Sequence, residues 1–424
     1  MIKIFDLMLD QSTREAFIEK KGLHVRGTNK EYEALKEYIF SDECTNDIIR
    51  LRNGDYFFDI PEKKLLKKRN STKVRTVYIF PDKNKFLLKL MSYCLNSYDF
   101  VFSKSLYSFR VFRNHTFFFK KARIVDRHRT HYVFKTDVHA YSDSMDPDVL
   151  FEKVTDVLKE DEEICNFIKW YLGRQQYYFR GELYSERFAL CCGTPISSFF
   201  CNCYLKDLDK IFERGYPIYM RFSDDIAVFT NTREEAEKAK QIVYDEFKKI
   251  HLTVNEEKTY IFNPGEAFTI LGFQFGNNEI DIAPGSLNKI LSMISRVEKK
   301  LLKQRHHNTY TQDQVFHYAE KFQRLTLYGS PNDPNCMSWA IWTFGTITTD
   351  KSLKIIDNRL QNFLRRVYVG KETKARYRMT YQQLVEKGYQ NLVHRYHHRA
   401  ELIKEREDKI VQYKKDHGMN YYEK

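Results

Sequence analysis

Two carboxylates stand side by side at Asp224 and Asp225, flanked by apolar runs of β type, IYMRF before Ser223 and IAVFT after Asp225. Such runs around a polar pair predict a β-hairpin whose tight turn carries both acids. Upstream, HYVFKTDVHAYSDSMDPDVLFEKVTDVL predicts an apolar strand ending at Asp137 and a helix opening at Asp146-Pro147, an N-cap followed by proline in the first turn. A carboxylate at a strand end can face a ligand, and the turn is expected to bring Asp224 near Asp137. Uncompensated, these acids would repel one another and one would tend to protonate, so the pattern makes sense mainly as a cation site. Taken alone, the Asp-Asp pair is more simply the cap of a turn.

A third segment weighs against that simpler reading. ALCCGTPISSFFCNCYLKDLDKIF predicts a Gly-x-Pro-x-Ser turn and then a helix bearing Asn202 and Asp207 to Asp209. A glycine permits close approach of backbone to a template or incoming base, and a helix behind it supports a nucleotide site. Phosphoryl transfer between nucleotides uses two Mg2+ ions roughly 4 Å apart, one activating the attacking hydroxyl and one holding the triphosphate. Hard oxygens from different strands hold such ions.

Composition narrows the partners. A chain of 424 residues exceeds one comfortable core, so two or three subdomains are expected. Its 70 Lys+Arg against 57 Asp+Glu give a net charge of +13, which favours a polyanion such as nucleic acid or an acidic membrane surface. No stretch approaches the ~18 to 20 apolar residues of a bilayer span, and acids interrupt the N-terminus as they would not in a signal peptide, so a cytoplasmic protein with no membrane partner is expected. Cys191, Cys192, Cys201 and Cys203 lack the paired spacing of a zinc site and read as buried reduced thiols.

Short helices are expected to about residue 50, a β-rich run from Val74 to Phe80, α+β alternation from Val133 to Phe275, and basic helices after Pro284. Thr232 and Glu235 form a capping box, and Ala236, Ala239, Val243, Phe247 and Ile250 make one apolar stripe.

Asp137 with Tyr141 resembles the first palm motif of reverse transcriptases, Gly193, Pro195, Ser197 and Asn202 the second, and Phe222-Ser223-Asp224-Asp225 the third. Leu252, Asn255, Lys258 and Thr259 resemble the segment after the palm helix, and Leu271-Gly272 the primer-grip turn. Lys73-Val74-Arg75, Pro81 and Tyr107-Ser108-Phe109-Arg110 are similar to the fingers pattern of bacterial, retron-like and intron-like enzymes. The resemblance covers about residues 60 to 280 and implies an α+β right-hand polymerase fold. An N-terminal helical segment (1–55) would precede fingers (56–132) and a palm of antiparallel sheet plus helices (133–283, with a fingers insertion about 147–190). A helical thumb (284–345) and a basic helical extension (346–424) would follow.

The resemblance implies an RNA-directed DNA polymerase in which Asp137, Asp224 and Asp225 are catalytic and, with Val138, hold two Mg2+ ions or Mn2+ in their place. It puts Lys73, Arg75, Tyr141, Ser142, Gly193, Pro195, Ser197, Asn202 and Lys258 around the nucleotide, and Arg110, Leu271 and Gly272 on nucleic acid. One departure stands out. Five residues after the first aspartate the family carries an aromatic ring that screens the sugar 2′ position, but here that residue is Ser142. Tyr141 is expected to take over the screen; otherwise discrimination against ribonucleotides is relaxed.

In the C-terminal third, KKLLKQRHH and FLRRVYVGKETKARYR alternate cations with aromatics, a mixture suited to structured or single-stranded RNA. Lys299, Lys300, Arg365, Arg366, Lys374 and Arg376 are the candidate contacts; a bundle with a solvated charged face is the plainer reading. His394, His397 and His398 lie among Arg395 and Arg399, which disfavours a metal. This region resembles the tail of stand-alone bacterial reverse transcriptases of phage defence. That likeness implies a non-coding RNA as template and primer, dNTPs as substrates, a DNA product and scope for a homo-oligomer. Two rivals are an untemplated or protein-primed polymerase and a catalytically idle RNA-binding assembly protein.

Overall fold

A computed structural model describes residues 3–22, 29–67, 74–110, 113, 115–125, 131–190, 192–216, 218–276, 279–307, 309–328, 339–370, 375–401, 404, 408 and 412. Lys73, Cys191 and Lys374 lie outside the described residues. The architecture is α+β, in two compact units, Met1–Pro264 and Gly265–Lys424.

In the first unit, four short helices, Ile4–Leu9, Gln11–Gly22, Lys30–Ile39 and Asp42–Arg52, lead the chain. The first is tied down far along the sequence: the Ile4 amide donates to Asp161 Oδ2 at 2.7 Å, and Asp161 is fully buried. Then come β1 (Glu62–Lys67), β2 (Val74–Ile79), β3 (Tyr132–Thr136), β4 (Gln176–Phe179), β5 (Glu182–Ser185), β6 (Ile218–Phe222), β7 (Asp225–Thr230) and β8 (Tyr260–Phe262). Two sheets result, β2-β1-β4-β5 and β6-β7-β3-β8. Strand β1 meets β4 in parallel although 114 residues separate Lys63 from Tyr177, whose hydroxyl the Lys63 ammonium reaches.

The second sheet carries the acids, and its middle strands are buried on both faces: Val133, Phe134, Ala227 and Val228 are all within 3% of full burial. Helix Arg233–Lys249 lies behind β3 and β7, opened by the Thr232–Glu235 capping box and buried along Ala236, Ala239, Val243 and Phe247. Helix Pro147–Leu158 opens as expected, with Asp146 accepting from the Asp148 and Val149 amides, and packs against helix Ser197–Tyr204. Edge-on aromatic contacts among Phe58, Phe167 and Tyr56 fill the space beneath the N-terminal helices, using the large apolar area and the ring quadrupoles that aromatic side chains bring.

The second unit begins with β9 (Phe268–Ile270), β10 (Phe273–Gly276) and β11 (Glu279–Ile282), paired in the order β11-β10-β9. Helices Pro284–His306, Gln312–Phe322 and Lys351–Val369 pack on one another. Buried Asp357 holds the Tyr389–Leu392 segment to this bundle, accepting from Tyr389 Oη at 2.6 Å and the Leu392 amide at 2.9 Å. Among the described residues no helix is long and apolar enough to cross a membrane.

Candidate active site

Asp137 is the residue that follows β3, 6% exposed. A neighbouring segment grips it: the Asn255 amide donates to the Asp137 carbonyl at 2.8 Å, and Asn255 Nδ2 and Lys258 Nζ donate to its carboxylate at 3.3 and 2.8 Å. Thr136 and Thr259 hydroxyls meet at 2.7 Å and fix the same register. Val138 pairs with Val254 between two ladder bonds, Asn255 to Asp137 and His139 to Thr253, so its own carbonyl lies outside the ladder while its side chain is core.

Strands β6 and β7 form the expected hairpin, Phe222 opposite Asp225, with Ser223 and Asp224 as its two-residue turn. Ser223 has φ +58°, a conformation that hairpin turns usually give to glycine. Because Thr136 pairs with Ile226 across β3 and β7, Asp137 and Asp225 are next-door neighbours at the ends of adjacent antiparallel strands.

The charges feel one another. Burial pushes the Asp224 carboxyl up, and the Asp137 charge adds to it. Burial also pushes Asp225 up to about 6; Lys135 opposes this while Asp224 and Asp137 reinforce it. Burial works against the Lys258 ammonium, but its hydrogen bond to Asp137 and the charges of all three aspartates leave its pKa raised. Among the described residues no three His, Cys, Asp or Glu side chains group closely enough to cage a metal by themselves. Two or three carboxylates that destabilise each other's charge nevertheless fit a divalent ion whose remaining ligands are substrate phosphates and water, the usual habit of Mg2+ in phosphoryl-transfer sites.

Around this centre Arg75 is exposed on β2, and its charge acts on both Asp143 and Cys192. The Gly193 turn is laced to the same strand, Tyr78 amide to Cys192 carbonyl at 2.9 Å and Cys192 Sγ to Thr76 carbonyl at 2.8 Å. Gly193 has φ +85°, and a Cβ there would lie 2.8 Å from Val77 Cβ. Pro195 and Ser197 are half-buried beyond it. Cys192, Cys201 and Cys203 are free buried thiols, with burial pushing Cys192 up to about 11.

Several expected contacts sit elsewhere. Tyr141 is 5% exposed and donates to the Cys201 carbonyl at 2.6 Å, so its ring is turned into the core; half-buried Ser142 and exposed Asp143 follow it. Asn202 is 1% exposed, its amide donating to the Ser108 carbonyl at 3.1 Å, which places it behind the hairpin turn. Arg110 is committed to the Asp99 carboxylate and to the carbonyls of Asp99 and Ser103, and so clamps a loop.

In the second unit, Leu271 and Gly272 form the β9–β10 turn with φ +51° and +84°, and a Cβ on Gly272 would meet Ser286 Oγ at 2.8 Å. Lys299 and Lys300 are exposed, but Arg365 is buried on the Met379 carbonyl and Arg366 pairs with buried Glu298. The side chain of Arg376 lies outside the described residues.

Residues 65–275 match the family model described as reverse transcriptase (RNA-dependent DNA polymerase). Residues 65–275 are thus similar to the reverse-transcriptase domain. That domain is the one of an RNA-directed DNA polymerase, an enzyme family that generally uses divalent metal ions. Among curated proteins no sequence is similar enough to count as a match. Among solved structures, apo telomerase from Candida tropicalis is similar at 15% identity and TM-score 0.46, over 80% of this chain and 63% of that one. Its form truncated from the C-terminal domain aligns at 16% identity and TM-score 0.41, over 52% and 54%. Telomerase from Candida albicans in complex with a fragment of telomeric RNA aligns at 12% and 0.42, over 74% and 60%. The chain thus spans between 54% and 63% of the length of those chains.

Sequence reasoning passed over Arg221 and Asp209, a fully buried ion pair at 2.6 Å directly under the hairpin turn. The available signal was an arginine inside an otherwise apolar strand, IYMRF, which demands a buried acid partner.

Proposed function

We propose that the protein copies an RNA into DNA by two-metal phosphoryl transfer, with Asp137, Asp224 and Asp225 as the metal-holding acids. The observation that carries this reading is the convergence of Asp137 at the end of β3 with the Asp224–Asp225 turn, where burial and mutual repulsion lift the turn acids. Mg2+ bound there would activate the primer 3′ hydroxyl and neutralise the leaving pyrophosphate. Asp137, Asp224 and Asp225 would hold it, with the Val138 carbonyl at the side.

The chain's own residues do the rest. Lys258 offsets the Asp137 charge before the substrate arrives and would then be free to pair with a triphosphate oxygen. Arg75 presents a guanidinium fork on β2, suited to phosphate oxygens. The Gly193 turn lets backbone approach the new base pair, and Pro195 and Ser197 shape it.

In this reading residues 1–55 form an N-terminal helical segment, 56–132 serve as fingers, 133–283 as palm with a fingers insertion at about 147–190, 284–345 as thumb and 346–424 as a basic extension; Lys299 and Lys300 meet the duplex backbone and Leu271-Gly272 the primer end. The template is a structured non-coding RNA, the compartment the cytoplasm, and the product serves defence against phage. The likeness of the C-terminal region to defence-associated enzymes supports this last part.

The test is to purify the protein with its nucleic acid and sequence what it makes from dNTPs and Mg2+, beside Asp224→Ala plus Asp225→Ala. A cDNA complementary to one co-purifying RNA, absent from the double variant, is expected. Product of random sequence would point to untemplated addition, and polymer made by the double variant would sink the site assignment.

A further inference from the structure

The hairpin turn that carries Asp224 and Asp225 is bent through a non-glycine residue, Ser223 at φ +58°. Such a conformation costs about 1 kcal/mol or more and persists only where the surroundings over-determine it. Both backbone groups of Ser223 are in fact held from below. Its amide donates to Ser108 Oγ at 2.7 Å, and its carbonyl accepts from Arg221 Nη1 at 3.1 Å.

These two holders are themselves fixed. Arg221 is fully buried and forks onto Asp209, Nε to Oδ1 at 2.7 Å and Nη2 to Oδ2 at 2.6 Å, while Tyr219 Oη donates to the same Asp209 Oδ1 at 2.7 Å. Arg221 Nη2 also donates to the Asn202 carbonyl at 3.2 Å, and the Asn202 side chain returns to Ser108. The Arg221 backbone is laced on its other edge, its amide to the Ser105 carbonyl at 2.9 Å and the Tyr107 amide to its carbonyl at 3.0 Å. A buried guanidinium serving an acid, a helix carbonyl and a turn carbonyl at once is a costly arrangement that plain packing would replace with apolar side chains.

We infer that Ser108 and the Arg221–Asp209 pair are positioning residues that set the aim of the Asp224 and Asp225 carboxylates toward the metal ions by holding the Ser223 peptide from both sides. The inference rests on the reading of Asp224 and Asp225 as metal-holding acids. It assigns Asn202 to the same device, as the strut between Ser108 and Arg221. Removing a holder lets the turn relax toward an ordinary backbone conformation; the carboxylates remain but their spacing for a cation is lost.

Ser108→Ala tests this with the least disturbance, Ser108→Thr is the conservative rescue, and Arg221→Lys keeps charge while losing the fork. Three quantities are measured on purified protein: melting temperature, kcat and KM for dNTP across a Mg2+ titration, and Mn2+ affinity from the loss of free-ion EPR signal without substrate. For Ser108→Ala we expect Mn2+ affinity to fall at least fivefold, half-saturating Mg2+ to rise by a similar factor, kcat at limiting Mg2+ to fall tenfold or more and dNTP KM to stay within twofold. Ser108→Thr should recover most of the loss, and a folded Arg221→Lys should share the metal defect.

If Ser108→Ala keeps wild-type Mn2+ affinity and Mg2+ dependence, whatever its melting temperature, the inference is overturned. A metal defect that Ser108→Thr does not relieve also overturns it. Asp224→Ala plus Asp225→Ala separates the two levels: activity in that variant defeats the metal-site reading, whereas an inactive double variant beside a normal Ser108→Ala defeats only the positioning role.

Discussion

Lys258 Nζ stands 2.8 Å from Asp137 Oδ2, so the acid that ends β3 has an ammonium counter-ion when no cation is bound. The pair is half open to solvent on the lysine side, the Lys258 side chain being 49% exposed and the Asp137 side chain 9%. A cation approaching Asp137 must therefore compete with a tethered positive charge that can swing away toward phosphate. Lys258→Met should move the acid limb of the rate–pH profile up by about one unit, since one lost neighbouring charge is worth on the order of 1 kcal/mol in a partly solvated site. The dNTP KM should rise severalfold in the same variant, and steady-state kinetics from pH 5 to 9 would read both effects.

Asp225 predicts how stability follows pH in metal-free protein. Its ordinary value near 3.8 is raised to about 6 in the fold. Below about pH 4 the acid is protonated both folded and unfolded; between about 4 and 6 the unfolded chain ionises first, so stability falls as pH rises through this window. A divalent cation reverses the preference by favouring the ionised form. Melting curves should show a larger gain from Mg2+ or Mn2+ at pH 7.5 than at pH 5. An equal gain at both would exclude these acids as the cation's ligands.

The inward turn of Tyr141 predicts weak sugar discrimination. With its hydroxyl on the Cys201 carbonyl, the ring has no path to the sugar, and Ser142 is too small to screen it. Single-turnover insertion should favour dNTP over rNTP by less than about tenfold, and Ser142→Tyr should raise that ratio by an order of magnitude. Tyr141→Phe should leave the ratio alone while costing about 1 kcal/mol of stability for the lost buried hydrogen bond.

Gly193→Ala combines a forbidden conformation with a clash. At φ +85° its new methyl would press on Val77 Cβ at 2.8 Å and the Tyr78 amide nitrogen at 3.2 Å, the latter backbone that cannot move alone. A loss of roughly 2 kcal/mol or more is expected, together with loss of polymerisation because the lacing between Cys192 and Tyr78 must open. Denaturant unfolding and primer extension would check the two parts separately.

Two kinds of arginine and lysine in the second unit should separate under salt. Lys299→Ala plus Lys300→Ala removes exposed charges and should lower the slope of log affinity against log salt for RNA by about 1 to 2. Arg365→Ala should lower the melting temperature and leave that slope unchanged, because the guanidinium is held by the Met379 carbonyl inside the bundle.

Local rules made much of the acid-bearing centre legible in the sequence. The β6–β7 hairpin follows from two apolar runs around Ser223-Asp224, and the Asp146-Pro147 and Thr232–Glu235 helix starts follow from capping chemistry that operates within four residues. What escaped is what long-range burial decides. Arg110 and Arg365 look like nucleic-acid contacts in the sequence, and Asp99 and the Met379 carbonyl, which claim them, are 11 and 14 residues away. Tyr141 and Cys201 lie 60 residues apart, so no periodicity could reveal that the hydroxyl was already taken. Asn202 read as a ligand contact for the same reason: its partner Ser108 is 94 residues distant.

The anchor of the first helix has a bearing on how the chain is made. Asp161, the buried acceptor for the Ile4 amide, is 157 residues downstream. At about 5 to 20 residues per second of synthesis, the first helix waits on the order of ten seconds before its anchor exists. During that interval Ile4, Phe5 and Met8, all fully buried in the finished fold, can pack only on the helices made before residue 161 and lack helix Glu162–Gly173. Nascent chains arrested before residue 161 should therefore bind chaperones through this segment, and those extended well past it should release them.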